Sequence, residues 1–241
     1  MELAKRVQFE TEWFLLLDKP TGISVHKDEG EFGLVTALSK ERGEPLWLVH
    51  RLDKLTSGAL LLARTQEAAA ELSACFRDRK VDKLYLALSH RKPKRKQGQI
   101  RGDMERSRGG GWRLSRQQHN PAITEFTSSS VAEGLRLFLC HPITGKTHQI
   151  RVALKSEGAP IVGDTRYEQR SAESAERGYL HAWQLGFTFR EQKYALRVEP
   201  SEGALFTMPS VKEGIERLAQ PQCWPTHWKL PLLADGMSNA V

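Results

Sequence analysis

Two short apolar runs, Leu46–Val49 and Ala59–Ala63, bracket the stretch His50-Arg51-Leu52-Asp53-Lys54-Leu55-Thr56-Ser57-Gly58. Runs of that length and composition read as buried strands. A chain containing both is committed to a sheet, with the connecting stretch at its edge. Rigid strands there can hold a reactive group still while a loop exposes it. Asp53, flanked by Arg51 and Lys54, is expected to stay ionised, which makes it a candidate nucleophile or base. The simpler alternative is a strand-connecting turn with a surface ion pair. The His, Thr, Ser and Gly of the same stretch weigh against it.

The chain has 241 residues, 39% of them hydrophobic, with six tryptophans, which fits a folded globular protein. No apolar stretch approaches the ~18 residues of a membrane span, and Met1–Arg6 lacks the apolar core of a signal peptide. A cytoplasmic protein without membrane contact is expected. Cys75, Cys140 and Cys223 have no metal-ligand or redox spacing, and their odd number argues against a disulfide framework. No metal or other cofactor is expected. The formal charge is +7, and its distribution is uneven. Between Arg91 and Arg116, ten Lys or Arg stand against Asp103 and Glu105 alone, so one segment accounts for the basicity.

Patterning predicts strands at Trp13–Leu17, Asp82–Ser89, Ala122–Ser128, Gly134–Cys140, Tyr179–Phe189 and Lys193–Val198, with Ile23–Val25 extended. It predicts helices over 33–42, from the Thr65 cap to about Lys80, over Thr147–Ser156 and over Val211–Leu218. Alternation places Leu84, Leu86 and Leu88 on one face of their strand and Tyr85 on the other. Residues 90–120 show little periodicity and read as a basic loop inserted into a single domain spanning 1–241. Ser171–Gly178 reads as a polar loop.

These segments resemble, in order, the motifs of the RluA family of pseudouridine synthases. His50-Arg51-Leu52-Asp53-x-x-Thr56-Ser57-Gly58 resembles the family signature, and Leu17-Asp18-Lys19-Pro20-x-Gly22-x-x-Val25-His26 its N-terminal motif. Lys83-x-Tyr85-x-Ala87 resembles its tyrosine strand. Gly145-Lys146-Thr147-His148-Gln149-Ile150-Arg151 and Gly158-x-Pro160-Ile161-x-Gly163-Asp164-x-x-Tyr167 resemble its C-terminal motif, and Leu180-His181-Ala182 the strand after it. The resemblance implies an α+β pseudouridine synthase fold, a mixed, mainly antiparallel sheet flanked by helices and loops, with a catalytic cleft across the sheet. It implies isomerisation of uridines in structured RNA, ribosomal or transfer. A monomer that uses no nucleotide cofactor is expected by default. The small N-terminal RNA-binding domain of many relatives is expected to be absent.

By the same resemblance Asp53 starts the reaction, Arg151 is its ionic partner, and Tyr85 stacks on the target base. Arg51 meets the RNA. Lys94, Arg95, Lys96 and Arg101 of the basic segment are expected to grip RNA backbone. His50, Thr56, Ser57, His148 and Gln149 are expected to shape structure. Lys146 departs from the family's usual Arg, Ala153 from a common His and Asp18 from a common Asn. Two other classes stay open: a catalytically silent RNA-binding protein or RNA chaperone on this scaffold, and a hydrolase using Asp53 as nucleophile.

Overall fold

The computed structural model describes residues 2–25, 33–168 and 175–230. His26 and residues 171–174 of the expected polar loop lie outside them. In chain order the first elements are β1 (Val7–Glu10), β2 (Phe14–Lys19), α1 (Leu34–Arg42), β3 (Trp47–Leu48), β4 (Ser57–Ala63), α2 (Gln66–Arg77) and β5 (Asp82–Ser89). They are followed by β6 (Gln97–Arg106), β7 (Trp112–Leu114), β8 (Pro121–Ala132), β9 (Leu135–Pro142), α3 (Gln149–Ser156), β10 (Leu180–Phe189), β11 (Gln192–Arg197) and α4 (Pro209–Leu218). These elements gather into two compact units. One holds the chain up to Asp82 with His181–Glu199; the other holds Lys83–Leu180 with Pro200–Lys229.

The first unit is built on β2 and β4, every residue of which is buried. They pair antiparallel from Phe14 opposite Ala63 to Lys19 opposite Gly58. Leu15, Leu16, Leu17, Leu60, Leu61 and Leu62 are at most 1% exposed, and each such leucine contributes about 1.5–3 kcal/mol of burial. Outside β2 lies β1. The other edge of β4 takes β3 at its end and β10, in parallel, at its start. Gly58 is dictated by that parallel neighbour, because a Cβ on it would lie 2.2 Å from the Ala182 carbonyl oxygen. β11 returns antiparallel along β10, and Phe14, Phe187 and Tyr194 pack edge-on or stacked between the strands. Thr65 caps α2 by accepting the Ala68 amide at 3.1 Å. The helix stops three residues short of Lys80. Arg79 turns left-handed at φ 59°, and the Lys80 amide reaches back to the Cys75 carbonyl, the bond that closes such helix ends.

The second unit is an antiparallel sheet in the order β5-β9-β8-β6-β7, with α4 against β8 and β9. Its main departure from expectation is the basic segment. Residues 97–106 and 112–114, expected as loop, form paired strands. β6 runs along β8 for seven residues, from Gln97 opposite Thr127 to Asp103 opposite Pro121. Its inward face reads Gly98, Ile100, Gly102, Met104, so glycines hide the alternation that marks a strand. Gly102 is needed there, since a Cβ would fall 2.2 Å from the Ser115 carbonyl oxygen. α3 also differs, starting two residues after Thr147 because His148 is left-handed at φ 59°.

Candidate active site

The backbone after Asp53 is clamped by the segment that leaves β2. Lys19 is fully buried, and its ammonium donates to the carbonyls of Pro20 and Thr56 at 2.8 Å each and Lys54 at 3.5 Å. The Gly22 amide donates to the Lys54 carbonyl at 2.8 Å, and the Thr21 hydroxyl to that of Leu55 at 2.7 Å. Three consecutive carbonyls, 54 to 56, thus each have a donor from residues 19–22. A buried ammonium is tolerated only when its protons are satisfied, and here the requirement fixes the turn. The Thr56 amide closes that turn on the Asp53 carbonyl at 3.0 Å. Asp53 itself is half-buried and Arg51 exposed.

The rest of the stretch anchors it to the sheet. His50 accepts the Leu61 amide on Nε2 at 2.9 Å, so that nitrogen carries no proton, and the ring stacks on Phe76 at 4.3 Å. The Ser57 hydroxyl meets His181 Nδ1 at 2.8 Å, and His181 Nε2 lies 2.8 Å from the Val198 carbonyl. A carbonyl only accepts, so Nε2 bears the proton; in the neutral ring Nδ1 then takes the Ser57 proton. His50, Thr56 and Ser57 therefore shape the turn.

In the second unit the corresponding fixed group is Arg151. Its Nε and Nη2 donate to the two Asp164 oxygens at 2.7 and 2.8 Å, a fork in which the arginine side chain is 8% exposed and the aspartate 0%. Asp164 also accepts the amides of Arg166 and Tyr167 at 3.2 and 3.3 Å. The Arg151 guanidinium lies 5.0 Å from the Tyr167 ring centre. Burial pushes the Tyr167 phenol up, so it keeps its proton; its oxygen lies 2.9 Å from His148 Nδ1 and accepts the Trp112 amide at 2.9 Å. Gln149 is satisfied four times, by Thr144, the Lys146 amide, the Ile123 carbonyl and Thr124, at 2.7 to 3.0 Å. It ties α3 to β8. Tyr85 is half-buried on β5, between the wholly buried Leu84 and Leu86.

Asp53 and Arg51 thus belong to the first unit, and Tyr85, Arg151, Lys94, Arg95, Lys96 and Arg101 to the second. The carboxylate against Arg151 within its own unit is Asp164, to which the sequence reading gave no role. Lys94 and Arg95, read as RNA contacts, have intramolecular partners at the end of α3. The Lys94 ammonium donates to the Ser156 carbonyl at 2.9 Å, and Arg95 pairs with Glu157 at 2.5 Å. Both positions suit cations at a helix C-terminus. Lys96 and Arg101 are exposed. Lys19 was given no role either, although it stands between Asp18 and Pro20 at the end of the apolar run Phe14–Leu17.

Residues 13–156 match the family model for RNA pseudouridylate synthase. An uncharacterized RNA pseudouridine synthase of Haemophilus influenzae is 48% identical over 211 residues, 87% of this chain and 94% of the relative. The ribosomal large subunit pseudouridine synthase C of Pasteurella multocida is 35% identical over 82% of this chain, which spans 64% of that relative. Among solved structures, human RNA pseudouridylate synthase domain containing 4 is similar at a TM-score of 0.71 and 26% identity. That likeness covers 87% of this chain and 94% of the human one.

Proposed function

The chain belongs to the RNA pseudouridylate synthase family, whose members are isomerases, and we propose that it converts specific uridines of ribosomal or transfer RNA to pseudouridine with Asp53 as the catalytic carboxylate. The observation that carries the reading is the Lys19 clamp. With Thr21 and Gly22, Lys19 holds the three carbonyls that follow Asp53, so the carboxylate is presented from a braced turn.

The isomerisation breaks the bond from uridine N1 to the ribose, turns the base, and joins C5 to the same ribose carbon. C5 loses a proton and N1 gains one, so atoms and electrons balance within the nucleoside. Attack by Asp53 on the sugar, attack on the base, and proton abstraction toward a glycal are three routes to the first step. Each asks for an ionised carboxylate held in position. Tyr85 offers an aromatic face to a base that has left its stack. Arg151, oriented by Asp164, contributes a fixed positive charge that does not reorganise during the reaction. Arg51 and the exposed cations of the basic segment hold the RNA backbone.

The protein acts as a monomer in the cytoplasm in this reading. Among the described residues no helix is long and apolar enough to cross a membrane. The test is a map of pseudouridines in ribosomal and transfer RNA from cells with the gene, without it, and complemented with Asp53→Ala. One or more sites should vanish on deletion and fail to return with Asp53→Ala. A map identical in all three strains would contradict the proposal.

A further inference from the structure

The basic segment contains two carboxylates, and both are committed within the fold. Asp103 accepts the amides of His119 and Asn120 at 3.0 Å each, and Glu105 pairs with Arg113 at 2.9 Å. Neither neutralises Arg101, Arg106, Arg108 or Arg116, which have no ion pair among the described residues. Unopposed like charges on one short hairpin repel one another, and a bound polyanion relieves that repulsion.

One of these cations is already arranged for a flat ligand. Arg106 and Trp112 are opposite each other where β6 meets β7, and the guanidinium lies 4.7 Å from the indole ring centre. Trp112 is half-buried and Arg106 exposed. The tip between them is tight. The Ser107 amide donates to the Gly111 carbonyl at 2.9 Å, and Gly110 is left-handed at φ 74°. Arg166 approaches this tip, its Nη1 3.6 Å from where a Cβ on Gly110 would lie.

We propose that the Arg106–Trp112 pair is a stacking platform for an unpaired nucleotide of the substrate RNA, with Arg108 and Arg166 taking its phosphates. This rests on the function proposed above and adds a specificity element to it. Arginine planes and tryptophan rings both accept bases without hydrogen-bond readout, and the surrounding cations select for a nucleic acid over a neutral aromatic ligand. The platform is also indexed to the catalytic scaffold of its unit. The Trp112 amide donates to the Tyr167 phenol, which is hydrogen-bonded to His148, three residues before Arg151. A nucleotide stacked there occupies a set position relative to α3, so the hairpin reads the spacing of the target from a neighbouring unpaired base.

The experiment measures equilibrium binding of the full chain to a labelled RNA stem-loop with a uridine-rich loop, at 50 and 200 mM salt. Tritium release from the same RNA labelled at uridine C5 is followed in parallel. Trp112→Ala should weaken binding about tenfold with the salt slope unchanged. Trp112→Phe should bind within about threefold of wild type, and Arg106→Gln should weaken binding and reduce the salt slope by about one. Should Trp112→Ala fail to fold, Trp112→Phe and Arg106→Gln still decide. Wild-type affinity in Arg106→Gln together with Trp112→Ala, or in Arg106→Gln alone in that case, overturns the platform. Platform-dependent binding without tritium release from any RNA tested would support this inference while contradicting the proposed function.

Discussion

A guanidinium 8% exposed against a carboxylate that is fully buried is a pair whose halves cannot be removed singly without cost. Asp164→Ala leaves Arg151 charged with two donors unmatched, and urea unfolding should show a loss of about 3–5 kcal/mol. Asp164→Asn keeps an acceptor for one arm and should lose less. Lys19 makes the complementary case. Lys19→Met removes the ammonium from the carbonyls of Pro20 and Thr56. Stability should fall by about 1.5–3 kcal/mol, and kcat should fall more than KM rises, because the turn carrying Asp53 loses its fixed backbone. Equal loss in a variant at an exposed lysine such as Lys40 would contradict this role. Both residues stood in motifs visible in the sequence. So did their partners, but the pairing was not visible, since Asp164 lies thirteen positions from Arg151 and Thr56 thirty-seven from Lys19. Spacing along a chain does not reveal a contact made by folding.

Elements with regular apolar alternation or a clear cap were legible. β5 spans Asp82–Ser89 as expected, Thr65 caps α2, and Gly43, left-handed at φ 67°, ends α1. β6 was not legible because its inner face uses Gly98 and Gly102 where a strand usually shows larger side chains. Gly102→Val tests that account. The added side chain meets the Ser115 carbonyl and Leu114, so β7 should detach, costing about 1–3 kcal/mol. Hydrogen exchange should then quicken at residues 104–106 and 112–114 while β8 and β9 stay protected. The start of α3 was misread for a different reason, as nothing in Thr147-His148-Gln149 signals that His148 is left-handed. The β8–β9 pair also carries a pH dependence. Burial holds the His141 imidazole below its ordinary value, against the pull of Glu125 at 3.1 Å. The unfolded histidine takes up its proton near pH 6.5, and the folded one only at lower pH. The unfolded state therefore binds more protons in that window, and stability falls as pH drops below about 6.5. His141→Gln should flatten that slope in acid titrations of unfolding.

At the scale of the whole molecule the sequence read well because its family motifs run in order through most of the chain. Its charge distribution read only halfway. The excess on residues 91–116 is real, yet Lys94 and Arg95 spend part of theirs on the end of α3. Neutralising Arg101, Arg108 and Arg116 should therefore flatten the salt dependence of RNA binding with little change in melting temperature. Neutralising Lys94 and Arg95 should lower the melting temperature as well. If Asp53 carries the isomerisation of uridine, tritium release from RNA labelled at uridine C5 depends on its carboxylate. Wild-type protein should release tritium from ribosomal or transfer RNA, and Asp53→Asn, which keeps the size of the side chain and removes its charge, should release none above background while still binding that RNA. Undiminished release by Asp53→Asn would contradict a catalytic role for Asp53.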